Sequence, residues 1–250
     1  MDYNFIDICK ALKKANIRKG DNVFCHTNLG FFGKPNRIKD SNSLCKLFYK
    51  AIIKVIGKEG TVIVPTFSYS FFKKKIFLNS TKSETGIFSE YVRNLKGSKR
   101  SKDPNFSVAA YGKNKKYFTK TETNDTYAEN SFFDKFHKLN GKIVDFNFLG
   151  STIIHYYERK INVSYRYNKI FFGKVNGKKE SWIVYSRYLD KKFVHDPLPI
   201  IKILRKKKYF YRSKLGKGEI TSISSKNFFQ TIKKEIKSNK FLLTEFYKYK

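Results

Sequence analysis

Cysteine, histidine, proline and acidic residues are all scarce in this 250-residue chain, which has 3 Cys, 4 His, 5 Pro and 20 Asp+Glu. Each shortage excludes something. The three cysteines, Cys9, Cys25 and Cys45, are odd in number and lack metal-type spacing, which argues against a disulfide framework and fits reduced thiols in a cytosolic protein. No Pro/Gly/Ser-rich stretch interrupts the periodic segments that run from residue 3 to residue 248, so residues 1–250 are read as a single domain. No apolar run approaches the roughly 20 residues of a membrane span. Residues 1–5 also lack the basic segment, apolar run and small-residue cleavage site of a secretory signal. The expected location is therefore cytoplasmic.

The shortage of acids has the largest consequence. Against 20 Asp+Glu stand 53 Lys+Arg, a formal net charge of +33. Such a field attracts anionic ligands, repels polycations and is compatible with nucleic acid, an anionic membrane surface or a phosphorylated small molecule. The lysines are spread along the whole chain beside abundant Asn, Ile, Phe and Tyr, the bias expected of AT-rich coding. Their densest run, residues 205–208, has the character of a solvated face.

What is present is hydrophobic periodicity. Residues 3–17 carry Phe5, Ile8, Cys9, Leu12 and Ala15 at helical spacing, with Gly20 as a stop. Residues 22–27 read as a buried strand that opens into the glycine-containing loop 28–33, a common ligand-binding position in α/β sheets. Asp40 caps a second helix that ends at Gly57, and the apolar strand 61–64 is stopped by Pro65. Further on, the pattern predicts helices over 85–95 and 131–139 and strands over 107–111 and 143–148. It also predicts antiparallel strands over 171–175 and 181–186, a strand near Ile220, and a helix from Ser225 to about Lys237. The fold class is α/β with a mixed sheet.

Directly after the strand 143–148 comes GSTIIHYYE at 150–158, which places His155 three residues before Glu158 on a predicted helix. Residues at that spacing share a helical face. The carboxylate can then hold the imidazole tautomer and stabilise the imidazolium formed when a proton is taken, so the pair is a candidate general base and orienter. The same spacing also occurs on solvated helices without function.

Four blocks in order, covering about residues 3–175, make the chain similar to the aminoglycoside 3-N-acetyltransferase family. They are Gly20-Asp21 followed by CHTNLG at 25–30, GTVIVPTF at 60–67, Thr85-Gly86 through RSKDPNFSVAAYG at 100–112, and the His155–Glu158 block, with Arg166, Tyr167 and Lys169 matching just downstream. The resemblance implies a three-layer α/β/α sandwich and direct transfer of an acyl group from acetyl-CoA, or another acyl-CoA, to an amine, without a metal. It implies His155 as general base and Glu158 as its orienter, with backbone amides of a loop holding the oxyanion. It places Thr27, Ser101 and Ser107 on the CoA side, although singly such hydroxyls equally often cap or close turns.

The chain departs from the family where many antibiotic-modifying members have His-Pro. Here Asp103-Pro104 stands instead, and Asp103 is expected near the amine. Capture of a polycationic aminoglycoside calls for clustered carboxylates, which a chain of +33 lacks, so resistance activity is the alternative reading. The expected substrate is an anionic small-molecule amine, a nucleotide-linked amino sugar of surface-polysaccharide synthesis, with Arg166 and Lys169 on its phosphate. A role for those two cations in salt bridges flanking the helix is the simpler alternative. The protein is expected as a monomer or homodimer without nucleic acid.

Three rivals make contrary demands. A nucleic-acid-binding protein needs exposed aromatics between clustered cations, whereas aromatics such as Phe48 and Phe148 fall at core positions. A metal-dependent hydrolase built on His26, His155 and His195 has no close-spaced ligand pair. Cys25 cannot easily use its neighbour His26 as a base, because adjacent strand residues point to opposite faces.

Overall fold

The computed structural model describes residues 3–36, 38–148 and 150–246. Helix α1 (Phe5–Lys14) begins two residues later than its periodicity suggests, because Asn4 and Asp7 form a reciprocal capping box at its start. Strand β1 (Asn22–Thr27) runs into a single 3-10 turn over Leu29–Phe32. Helix α2 (Ser41–Ile56) is capped by Asp40, whose carboxylate accepts from the Ser43 amide at 2.9 Å, and it ends at Gly57 with φ +67. Then follow β2 (Thr61–Pro65), α3 (Ile87–Arg93), β3 (Lys99–Arg100), β4 (Val108–Gly112), α4 (Lys115–Thr119), α5 (Phe132–Lys138) and β5 (Lys142–Phe146). The remainder comprises α6 (Ile153–Ile161), β6 (Arg166–Val175), β7 (Lys178–Arg187), α7 (Leu198–Leu204), β8 (Tyr211–Leu215), β9 (Gly218–Ser224) and α8 (Ser225–Ser238).

Among the described residues, seven strands form one sheet in the order β3-β4-β2-β1-β5-β9-β8. Strand β1 lies parallel to both β2 and β5, and the outer pairings are antiparallel, so the sheet is mixed. Its two faces bury different clusters. Val23, Cys25, Val62 and Val144 pack with α1, α2 and α3, while Phe24, Ile63 and Ile143 pack with α5, α6 and α8. The three-layer α/β/α sandwich follows from this alternation.

Several expectations shift. Strand β5 stops at Phe146 because Asn147 adopts φ +50, which turns the chain out of the sheet. Phe148 is therefore not a core residue: it is 44% exposed and stacks on His26 at 5.8 Å, whereas Phe48 is fully buried as expected. The antiparallel pair is longer than its apolar stretches. Strands β6 and β7 pair from Arg166↔Arg187 to Val175↔Lys178 around Asn176 (φ +48) and Gly177 (φ +85), a two-residue hairpin turn. Arg166 and Lys169 consequently sit on a strand, from which Arg166 reaches back to pair with Glu158 of α6 while Lys169 stays exposed. Helices α4 and α7 and strands β3 and β8 are short, and none has the length of pattern that would reveal it.

Candidate active site

The C-terminal ends of the parallel strands β1 and β5 lie side by side, paired at Thr27↔Phe146. The chain leaves β5 through Asn147 and Gly150, both at positive φ, and enters α6, so that His155 sits just beyond the carboxyl edge of the sheet. On α6, His155 Nδ1 lies 2.7 Å from Glu158 Oε2. A carboxylate accepts, so Nδ1 carries the proton and Nε2 keeps its lone pair.

Glu158 is fully buried, and three partners hold it. Besides His155, Arg166 Nε approaches Oε2 at 2.7 Å and the Tyr165 hydroxyl donates to Oε1 at 2.9 Å. Burial pushes the Glu158 carboxyl up, but the Arg166 guanidinium and then His155 pull it down further, and it stays below the usual carboxylate range. His155 moves the other way. Burial and then the Arg166 charge push its pKa down to about 4 against the pull of Glu158, so the ring is neutral near pH 7.

His155 opens onto a cavity of about 450 Å³. Phe72, Phe106, Tyr127, Phe171 and Tyr185 form its aromatic walls, and Arg166, Lys169 and Arg187 supply positive charge. None of the described residues lining it is Asp or Glu. The hairpin β6–β7 supplies eight of the lining residues, from Arg166 to Arg187, and so forms much of one side. Tyr127 is buried in the wall with its ring 6.0 Å from that of His155. Its hydroxyl has no hydrogen-bond partner among the described residues, and burial raises its pKa well above the ordinary value.

Among the residues singled out in the sequence, His155, Glu158, Arg166 and Lys169 are thus brought together. Lys169 is exposed, with its ammonium 5.2 Å from the Phe171 ring centre. Arg166 lines the cavity, but its charge is largely neutralised by Glu158. Asp103 does not reach the cavity: its Oδ1 accepts from the Asn105 and Phe106 amides and its Oδ2 from the Thr126 hydroxyl, which makes it the keystone of the turn 103–106. Ser101 accepts from the Val108 amide, and with Asp103 it borders a small recess of about 20 Å³ that shares the Phe106 wall. Ser107 is fully buried and donates to Thr66 O, where it also braces Arg100. Thr27 closes β1, half-buried.

For two of the histidines weighed in the sequence, only the fold shows the partners. His195, 40 positions beyond His155, arrives in the same cavity with ring centres 5.1 Å apart. His26 forms a separate buried set, with Nε2 at 3.2 Å from Ser151 Oγ and Nδ1 at 3.3 Å from Asp145 Oδ1. Neither contact has a local signal in the sequence, since each joins distant segments. Atoms of His155, Glu158 and His195 fall within 4.8 Å of one another, a grouping of a kind that can hold a metal ion. Here Arg166 already supplies the positive charge at Glu158, which disfavours a cation. Cys25 faces the opposite side of β1 from His26, and burial pushes its thiol far up, which leaves no thiolate for nucleophilic attack.

A neutral imidazole, held by a carboxylate at the carboxyl edge of an α/β sheet and opening onto a cavity, can accept a proton from a nucleophile. The chain belongs to the aminoglycoside 3-N-acetyltransferase family, whose sequence profile matches residues 36–237. It is thereby an acyltransferase that moves an acetyl group from acetyl-CoA to an amine. Comparison with curated proteins gives no match. Solved structures with the same fold include AAC-IIIb in binary complex with CoASH (TM-score 0.78, 13% identity, 95% of this chain and 97% of that one). AAC-VIa bound to sisomicin has a TM-score of 0.80 at 16% identity, with 95% and 98% covered. The YokD protein of Bacillus subtilis has a TM-score of 0.77 at 19% identity, with 94% and 100% covered.

Proposed function

We propose that this protein N-acetylates the amine of an anionic amino sugar, most simply one carried on a nucleotide, in surface-polysaccharide biosynthesis. The carrying observation is the cavity around His155: aromatic walls, cations and no carboxylate among its described lining residues. A polycationic aminoglycoside brought there meets Lys169 and Arg187 with nothing to neutralise its own charges. A nucleotide sugar has a flat base to lie against Phe or Tyr faces and phosphates to meet Lys169 and Arg187, with the amine left at His155. Thr27 and Ser101 are assigned to the CoA side, Ser107 to the support of that side through Arg100, and Asp103 to the shape of the loop beside it.

In the transfer step the amine nitrogen attacks the thioester carbonyl carbon while His155 Nε2 takes a proton from it, and Glu158 stabilises the resulting imidazolium. Glu158 is itself held by Arg166 and Tyr165, so the base is fixed in position before substrate arrives. Positioning two substrates supplies about 7–11 kcal/mol against the roughly 10²–10⁴-fold of proton removal, so the cavity wall should matter at least as much as the base. One sheet carrying both the β1 loop and α6 supports treating residues 1–250 as one acyltransferase domain. Acetyl-CoA and nucleotide sugars are cytoplasmic metabolites, which supports that location, and no helix among the described residues is long and apolar enough to cross a membrane.

The test is thiol release from acetyl-CoA against a panel of nucleotide-linked amino sugars, neutral amino sugars, and sisomicin or gentamicin. Turnover is expected with the anionic members. Preferential turnover of the aminoglycosides overturns the substrate assignment, and tight, salt-sensitive binding of nucleic acid without any turnover overturns the enzyme reading.

A further inference from the structure

Acylation of an amine has a proton balance that one base does not complete. The substrate arrives as an ammonium with three N–H bonds, and the amide product keeps one. One proton must leave before the nitrogen has a lone pair, and a second leaves as the N–C bond forms. His155 is placed for only one of these.

His195 supplies the second position. It precedes α7, and its ring stands at 79° to that of His155 with centres 5.1 Å apart. Its Nδ1 is 3.1 Å from the carbonyl oxygen of Leu243, which can only accept, so Nδ1 carries the hydrogen and Nε2 carries the lone pair. The same reasoning applied to Glu158 leaves Nε2 of His155 as an acceptor. Two imidazoles thus present bare acceptor nitrogens to one cavity, an arrangement that matches a nitrogen with two protons to lose.

We propose that His195 is a second catalytic base, which takes the first proton from the substrate ammonium so that His155 can take the second during acyl transfer. This rests on the amine acyltransferase reading above. The ammonium N–H proton passes to His195 Nε2 and from there to solvent. The freed nitrogen lone pair bonds to the thioester carbon, its next proton goes to His155 Nε2, the C–S bond breaks, and His155 returns that proton to the CoA sulfur. One proton is released overall.

The supports of the two rings fit this division. His155 leans on an anionic carboxylate, which stabilises an imidazolium through the collapse of the tetrahedral intermediate. His195 leans on a neutral carbonyl, which fixes the tautomer and lets the proton go. Glu158, Arg166 and Tyr127 face the pair from α6, β6 and the segment before α5, Tyr185 from β7, and Asp196 follows His195 directly in the chain. Glu158 and Arg166 cancel, and a proton on either ring disfavours one on the other, so His195 must discharge before His155 is charged.

His195→Asn keeps a donor for the Leu243 carbonyl and removes the base. With acetyl-CoA and the nucleotide-linked amino sugar that serves as substrate, kcat/KM at pH 7 should fall about 10²-fold, with the deficit closing as pH rises through the amine's own pKa and solvent delivers the free amine. His155→Ala should show no such recovery. A deficit in His195→Asn that is constant across pH, or none at all, overturns the assignment while leaving the acyltransferase reading intact. Absence of turnover of every amine by the parent enzyme overturns both. Independently of any substrate, ¹⁵N NMR should show His195 as the Nδ1–H tautomer, and an Nε2–H tautomer overturns the proposal.

Discussion

At the scale of single residues, the chemistry depends on how completely Glu158 is satisfied. Its two oxygens serve His155, Arg166 and Tyr165, and the side chain is fully buried. His155→Ala should lower kcat by at least about 10²-fold with acetyl-CoA affinity nearly unchanged by calorimetry. Glu158→Gln should cost less in turnover, because it weakens an orienter. It should cost more in stability, about 3 kcal/mol, because it leaves the buried Arg166 guanidinium without its counter-charge. Urea denaturation compared with the turnover loss separates the two effects. The pair was singled out in the sequence by its spacing, and the family resemblance, not the spacing alone, gave it a role. The commitment of Arg166 to Glu158 was not legible there, because Arg166 reaches it from a strand that leaves the helix and folds back.

At the scale of elements, backbone sites decide where the strands can sit. Gly112 closes β4 at φ +129, and a Cβ there would stand 2.3 Å from Gly60 O and 2.8 Å from Thr61 Cα. Backbone atoms in a paired strand cannot move aside, so Gly112→Ala should cost about 3 kcal/mol or more, read as a lowered urea midpoint with the slope unchanged. The hairpin β6–β7 shows what patterning conceals. Its outer positions mix Ile170 and Phe172 with Asn168 and Lys174, so apolar alternation marks only the half near the turn. The residues at its far end, Arg166 to Lys169, are strand only because register from Asn176-Gly177 carries them there. Helix α2, with a clear cap, stripe and stop, was readable to the residue at its C-terminus. Helix α7 is seven residues long, follows Pro197 and gave no such signal.

At the scale of the whole molecule, pH acts through half-buried histidines. His155, at about 4 when folded against an ordinary 6.5, binds its proton in the unfolded chain first. The unfolded state therefore holds more protons between these values, and stability falls as pH drops from 6.5 towards 4, by on the order of 3 kcal/mol from this residue. His137 and His195, also lowered first by burial, act in the same direction, whereas Asp103 and Asp145, raised by burial, partly offset the loss as they protonate. Denaturant unfolding at pH 7 and pH 5 should show the drop, and His155→Phe should reduce it. The net charge of +33 adds self-repulsion at every pH in this range. Raising NaCl from about 0.05 M to 0.3 M, which shortens the screening length below 10 Å, should raise the melting temperature.

By itself the sequence determined the layers, the order of the long elements, the family and the His155–Glu158 pair, because each is written in local periodicity, caps and short ordered blocks. Tertiary structure alone decided which distant groups share the cavity: His195 beside His155, Arg166 on Glu158, Tyr127 in the wall, and Asp103 turned away to hold its own loop. Local pattern records which face of an element is apolar. It does not record which two polar atoms meet when faces from different parts of the chain are packed together, and the chemistry of this site lies in those meetings.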